Sequence, residues 1–543
     1  MLEKNRLLKA SSWGVSLLLA LPILAIFITS FGQTDDLFSH LLASVMGTYT
    51  SNTLLLVSGV VVLSLLMGVP SAWLMASFRV PGDRVLQWAL VLPLAIPGYI
   101  VGYIYTDWFD FAGPVQIYLR DVMGWQSASE YWFPDIRTLP GACFVLALVL
   151  HPYIYLLART AFMEQSRTMT HTARLLGCSP LHSFLRVSFP LARPAVAVGA
   201  SLVAMETLGD FGTVHFFAVN TLTTAVYDTW LGYSNLNAAA KISAFMLLAI
   251  FLLISGERYS RRKQKLFSQS AAPDQVEKEI LTGWKKVVAA VWCWGLFILA
   301  FAAPMAQLVF YAVDYISDSS FTDFVQYSIN SVYISSIAAC IALFIAILVN
   351  IYPRFRGSSL SKVPNRISSL GYAVPGTVLA IGVLIPLTSA DHIVNFIAVK
   401  FDMGRPGLLF SGTMFALIAA FVVRFSAVAI GSVESSLSKI SPSLDMAART
   451  MGCNARLTFS RVQLPLIRRG CLIAALLVFI ESMKELNASL LLRPFNFETL
   501  ATYVFNYASD EQLEYAGMPA ILLVLVGLIP LILINRSLEQ THK

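Results

Sequence analysis

The sequence predicts an all-α polytopic membrane protein whose twelve transmembrane helices form two parallel six-helix repeats. Three observations lead there. Of 543 residues, 57% are hydrophobic and 13% charged, against about 45–50% and about 25% in an ordinary soluble domain. Apolar runs of about 20 residues, the length that crosses a bilayer as a helix, recur along the chain. One long hydrophilic stretch, 257–286, separates two stretches of like pattern.

The predicted spans are 12–31, 53–76, 85–106, 139–162, 194–216, 238–256, 287–312, 330–352, 367–388, 408–432, 470–492 and 516–535. Each is read as a helix because only internal hydrogen bonding satisfies a backbone in lipid. The first follows Lys4, Arg6 and Lys9. It is long and lacks an A-x-A-like cleavage site, so it reads as an uncleaved span rather than a signal peptide. Thirty of the 38 Lys and Arg, counting Arg159 at a span end, fall on one side of this arrangement. By the positive-inside rule that side is cytoplasmic, which puts both termini inside. The halves are then 1–256 and 287–543, joined by the basic and polar linker 257–286. An even number of spans per half makes the repeat parallel, with its axis along the membrane normal and a pathway expected between the halves.

Composition also excludes several functions. A net charge of +7 spread over this length forms no basic domain for nucleic acid. The six cysteines, Cys143, Cys178, Cys293, Cys340, Cys453 and Cys471, show no C-x-x-C spacing and read as apolar fillers. Dispersed histidines, with no H-E-x-x-H and no G-x-S-x-G, offer no catalytic centre, stable metal site or resident cofactor. The P-loop pattern is absent too, so nothing in the chain cradles nucleotide phosphates and a separate chain must supply the energy.

Superposing the halves at an offset of 275 places Ala173-Arg174-Leu175-Leu176-Gly177-Cys178 on Ala448-Arg449-Thr450-Met451-Gly452-Cys453, and Pro190 on Pro465. Gly177 and Gly452 would supply the left-handed residue that ends a helix, and Ser179-Pro180 or Asn454 would cap the next. The expected form is a short helix, a sharp turn and a second short helix. These loops resemble the cytoplasmic EAA loops of binding-protein-dependent ABC importer permeases. That resemblance implies the type I ABC importer (MetI-like) permease fold and coupling helices that seat in ATPase subunits. The matching positions are Ala173, Arg174, Gly177 and Pro190, and Ala447, Ala448, Arg449, Gly452 and Pro465. Where the family has an acidic residue, this chain has His171 and Met446, with Asp445 one place earlier. Two loops imply two copies of the ATPase, with ATP and Mg bound by those partners.

A second repeated feature is acidic. Glu206 and Asp210 superpose on Glu481 and Glu485, and a spacing of four places each pair on one helix face. Ionisable groups inside a span usually face a bundle interior or a wet pathway. Two readings stand: a cation pathway, or structural groups neutralised by Lys484 and neighbouring helices. Pro97-Gly98 and Pro375-Gly376 mark helix breaks in spans three and nine, as pathway elements or packing kinks. Outside, Thr221-Leu222-Thr223-Thr224 and Thr499-Leu500-Ala501-Thr502 repeat at offset 278, as docking surfaces or interfacial segments.

The strings at 92–99, 206–214 and 484–502 resemble the fused two-half permeases of ferric-iron importers. This implies transported ferric iron, a periplasmic ferric-binding protein as partner, alternating access, and residence in the bacterial inner membrane. Thiamine and polyamine importers share the architecture. The rival of another class is a proton-coupled secondary transporter, supported by Gly82-Asp83-Arg84 between spans two and three, but it gives no reason for two glycine-turn loops.

Overall fold

The computed structural model describes residues 2–32, 36–165, 177–261, 278–315, 321–356 and 359–541. Among them, nine helices are long and apolar enough to cross a membrane: Leu8–Ser30, Met46–Ser77, Leu139–Met163, Pro180–Gly209, Trp284–Asp314, Phe321–Arg354, Gly376–Lys400, Met414–Ser438 and Phe459–Lys484. A bent pair, Asp83–Ala95 with Gly98–Met123, turns by 94° where the straight span 85–106 was expected. Leu236–Leu252 and Leu513–Ile529 are shorter apolar helices. Among the described residues, the twelve expected ranges thus meet nine long helices, one bent pair and two shorter apolar helices.

The departures have local causes. Pro97 and Pro375 lack an N–H, and each stands extended (ψ 139° and 146°) between a 3₁₀ turn, Leu92–Ala95 or Leu370–Ala373, and a new helix beginning at Gly98 or Gly376. The ninth span therefore starts at Gly376 rather than 367. Spans five and eleven begin earlier than expected and stop at Gly209 and Lys484. The predicted continuations to 216 and 492 are separate short helices, Gly212–Phe216 and Asn487–Leu492.

The chain forms two compact units, and each draws helices from both sequence halves. One comprises Val45–Leu222, Leu248–Ser319 and Tyr507–Lys543. At its centre, Met46–Ser77 lies along Leu139–Met163, and both pack on Phe189–Gly209. Close approach depends on small residues: a Cβ on Gly68 would come within 2.9 Å of His151 O, and one on Gly199 within 2.9 Å of Ile154 Cα. Cytoplasm-directed segments by the sequence reading are stitched here. Phe78–Arg79 pairs in parallel with Glu279–Ile280, Lys278 Nζ lies 3.2 Å from Asp83 Oδ2, and Trp294 Nε1 donates to Pro81 O at 3.0 Å.

The other unit comprises Met1–Ser44, Thr223–Leu247 and Ser320–Asn506. Phe321–Arg356, Met414–Ser438 and Leu464–Lys484 pack mutually, and the N-terminal helix Leu2–Ser30 runs along Gly376–Lys400. Hydrogen bonds to helix Val363–Ser368, just ahead of Gly376–Lys400, and close packing at Gly382 hold the N-terminal helix there. Ser16 Oγ donates to Pro364 O at 3.1 Å, Ser368 Oγ donates to Ser16 Oγ at 2.9 Å, and a Cβ on Gly382 would lie 2.7 Å from Pro22 O.

Candidate coupling loops and membrane breaks

The two glycine turns have the same backbone: Gly177 has φ +85° and Gly452 φ +84°, a conformation that L side chains adopt at a penalty. In the second loop, helix Pro442–Thr450 closes with Cys453 N–H donating to Ala448 O at 3.0 Å across the glycine. Asn454 Oδ1 then accepts from Leu457 N–H at 2.9 Å, and in the first loop Ser179 Oγ accepts from His182 N–H at 3.3 Å. Both caps start a helical run of the same composition. Short helices Pro180–Ser183 and Ala455–Thr458 lead into π turns Phe184–Ser188 and Phe459–Gln463, then into the long helices ending at Gly209 and Lys484. Pro190 and Pro465, second in those long helices, cannot donate to the preceding turn, and the wide π turn ahead absorbs the missing bond.

Ala173 and Arg174, with His171, lie outside the described residues. On helix Pro442–Thr450, Asp445 and Ala448 are buried while Leu444, Met446 and Ala447 are exposed, as is Met451 just past its end. Arg449 lies in this helix, and its side chain is outside the described set.

The acidic pairs do not sit on one helix face, because the helix ends between their members. Asp210 and Glu485 are the extended residues just past each C-terminus (ψ 131° and 110°), whereas Glu206 and Glu481 remain on the helix. Each of the two terminal carboxylates caps the next short helix. Asp210 Oδ2 accepts from Thr213 N–H at 3.0 Å and Val214 N–H at 3.1 Å, while Oδ1 accepts from Thr213 Oγ1 at 3.0 Å. Glu485 Oε1 accepts from Ala488 N–H at 3.1 Å. Helix ends in lipid expose N–H groups that must find acceptors, and these carboxylates provide them.

The proline–glycine breaks meet these caps, one arrangement in each unit. A Cβ on Gly98 would lie 2.8 Å from Thr213 Oγ1, 3.3 Å from Leu146 Cδ2 and 3.9 Å from Asp210 Oδ1. On Gly376 it would lie 2.5 Å from Glu485 Oε1, 2.6 Å from Arg424 Nη1 and 2.8 Å from Asn487 Cβ. The copies share backbone but differ in charge. Arg424 Nη1 stands 3.4 Å from Glu485 Oε1 in the second, where the first has Leu146. Arg424 is thus a cation held beside Glu485, a partner the structural reading, which invoked Lys484, did not name. A lone arginine in an apolar span was its sequence signal.

The repeated threonine segments are pinned alike. Leu222 N–H donates to Thr53 Oγ1 at 3.0 Å and Leu500 N–H to Ser331 Oγ at 2.7 Å. Asn52 and Asn330 donate to Asn220 O and Glu498 O, both at 3.0 Å. Ahead of them Ala218 and Asn496 turn left-handed (φ +53° and +57°), and Phe495 is fully exposed. Gly82-Asp83-Arg84 has a local role: Gly82 (φ +80°) starts helix Asp83–Ala89 under Trp294, and Asp83 pairs with Lys278. Among the described residues no group of three or more His, Cys, Asp or Glu stands close enough to hold a metal.

Comparison with known proteins matches this duplication. The model of the family described as binding-protein-dependent transport system inner membrane component fits twice, at residues 64–265 and 338–541. The chain is 27% identical over 529 residues, 96% of each chain, to the Fe(3+)-transport system permease protein FbpB 2 of Haemophilus influenzae. It is 21% identical to the ferric transport system permease protein FbpB of Actinobacillus pleuropneumoniae, over 93% of this chain and 74% of that one. The molybdenum transport system permease protein ModB of Escherichia coli is 30% identical over 36% of this chain and 85% of its own.

Proposed function

The chain belongs to the family of binding-protein-dependent transport system inner membrane components, and on that premise we propose that it is the fused, two-half permease of an ATP-driven ferric-iron importer. It would sit in the bacterial inner membrane with both termini cytoplasmic. Two ATPase subunits would dock on the Gly177 and Gly452 loops, and a periplasmic ferric-binding protein would deliver the cargo outside.

One observation supports this reading most strongly. In each copy the glycine turn and the membrane carboxylate lie at opposite ends of one continuous helical run, from Pro180 to Gly209 before Asp210 and from Ala455 to Lys484 before Glu485. Thirty residues at about 1.5 Å each span roughly 45 Å, a membrane's depth. A stiff rod carries displacement from one end to the other. Closure of an ATPase dimer on the loops would therefore move the breaks at Pro97-Gly98 and Pro375-Gly376, which pack on the rods' far ends.

Ferric iron is a hard trivalent cation suited to carboxylate oxygens. We assign Glu206 and Glu481 as pathway groups, with Asp210 and Glu485 holding the breaks. Iron is cargo here, met in passing.

Reconstitution with the ATPase and the loaded binding protein in liposomes tests the proposal. Uptake of radioiron that requires internal ATP and survives collapse of the membrane potential is expected. Uptake driven by a proton gradient alone would overturn the energy source, and uptake of molybdate in place of iron would overturn the cargo.

A further inference from the structure

We infer that Asp445 is a positioning residue for ATP coupling, tying the second coupling helix to three membrane helices instead of reaching the ATPase. The inference rests on the proposed docking role of the Gly452 loop.

Asp445 is 7% exposed and lies in helix Pro442–Thr450. Its Oδ2 accepts from Arg354 Nε at 2.7 Å, and its Oδ1 accepts from Gln463 Nε2 at 2.9 Å. Arg354, near the end of helix Phe321–Arg356, also donates from Nη2 to Ile440 O at 2.7 Å and from Nη1 to Leu437 O at 3.3 Å. Those carbonyls lie at the end of helix Met414–Ser438, where intrahelical donors run out. Gln463 is fully buried at the end of the π turn that opens helix Leu464–Lys484. One carboxylate therefore gathers the ends of three long helices onto the coupling helix.

The helix divides its faces accordingly. Asp445 and Ala448, three residues apart, turn inward, while Leu444, Met446 and Ala447 are exposed and open to a partner, as is Met451 in the turn that follows. A short charge-assisted pair is directional as well as strong, so it passes on rotation of the coupling helix that an apolar contact would let slip.

The first loop's sequence offers no equivalent acid. No Asp or Glu occurs between Glu164 and Glu206. The membrane helices ahead of the loops match at offset 278, as Leu146 and Arg424 do, which sets Arg354 against Ala76, and at the loops' own offset of 275 Gln463 falls on Ser188. The second loop is the one tethered through an acid.

Asp445→Asn in the full complex tests this. The expected result is normal copurification of the ATPase, with the ratio of binding-protein-stimulated to basal hydrolysis down about tenfold, the factor for losing one charge-assisted hydrogen bond. Asp445→Glu should recover part of that ratio. Loss of ATPase copurification in Asp445→Asn would mean that the carboxylate docks the partner, and overturns the inference, as does an unchanged ratio. Should Asp445→Asn fail to reach the membrane, Gln463→Met decides, because that side chain is buried from any partner. A reduced ratio with intact assembly supports the tether, and an unchanged ratio overturns it. If the unmodified chain attaches no ATPase at all, the docking reading itself falls, and this inference with it.

Discussion

Arg424 is held inside a transmembrane helix beside the Glu485 carboxylate, at 3.4 Å, both side chains nearly buried. Removing one partner of such a pair leaves an uncompensated charge and is destabilising by about 3–5 kcal/mol, whereas removing both charges is often neutral. The first copy already carries Leu146 in this position beside its glycine, so the backbone tolerates an apolar side chain there. Arg424→Leu should therefore lower the thermal midpoint of the solubilised protein clearly. Arg424→Leu combined with Glu485→Gln, which keeps the acceptor for Ala488 N–H, should recover most of it. Equal midpoints for the single and double variants would refute the pairing. Glu206 and Glu481 differ in kind, since they stay on their helices instead of closing a break. Glu206→Gln with Glu481→Gln should leave the midpoint near that of the unmodified chain and depress radioiron uptake, and unchanged uptake would remove them from the pathway.

Of the duplicated element, the glycine turn and the capped short helix after it were legible, because each is set by a residue with one dominant local preference, while the π turn and the early start of the long helix at Pro190 or Pro465 were not. Gly452 is a case in point. At φ +84° a side chain brings a strain of about 1–2 kcal/mol, and a Cβ added there would meet no neighbouring atom within 4 Å, so crowding adds nothing. Gly452→Leu should consequently leave the permease folded but misdirect the coupling helix, weakening attachment or stimulation of the ATPase while the binding protein keeps its affinity for iron. Normal stimulation in that variant would remove the loop's assigned role. What stayed hidden was the end of each rod. Glu206 and Asp210 have the spacing of a helical face, and nothing local announces that the chain turns at Gly209. The turn depends on Asp210 finding Thr213 and Val214 N–H groups, and on Gly98 leaving room beside them. Such a break is decided by tertiary satisfaction of backbone groups, which a periodicity cannot display.

At the scale of the whole molecule, the sequence divides at residues 257–286 while the packing does not divide there. The N-terminal helix Leu2–Ser30 packs on Gly376–Lys400, helix Ala303–Asp314 packs on Gly517–Thr541, and the latter also meets the 3₁₀ turn Leu92–Ala95. A Cβ on Gly527 would lie 2.8 Å from Ala95 O, so that last contact is as tight as the approach of Gly68 to His151 within the first half. Hydropathy reports that a segment is apolar and says nothing about which neighbour covers it, and this exchange could not be read from the spans. Its consequence is that neither half owns a complete set of partners. Residues 1–256 made alone would leave Ser16 with only its own-helix acceptor, Ser12 O, and would strip the first helix of Pro364, Ser368 and Gly382, against which it packs. The single half should be inserted yet rapidly degraded. Co-expression of 1–256 with 257–543 should restore both to the membrane and return radioiron uptake, because the tether between them makes no demand beyond local concentration. Pulse-chase labelling of each half, alone and together, measures this directly. A first half as long-lived alone as in company would show that the helix exchange contributes nothing to the stability of the fold.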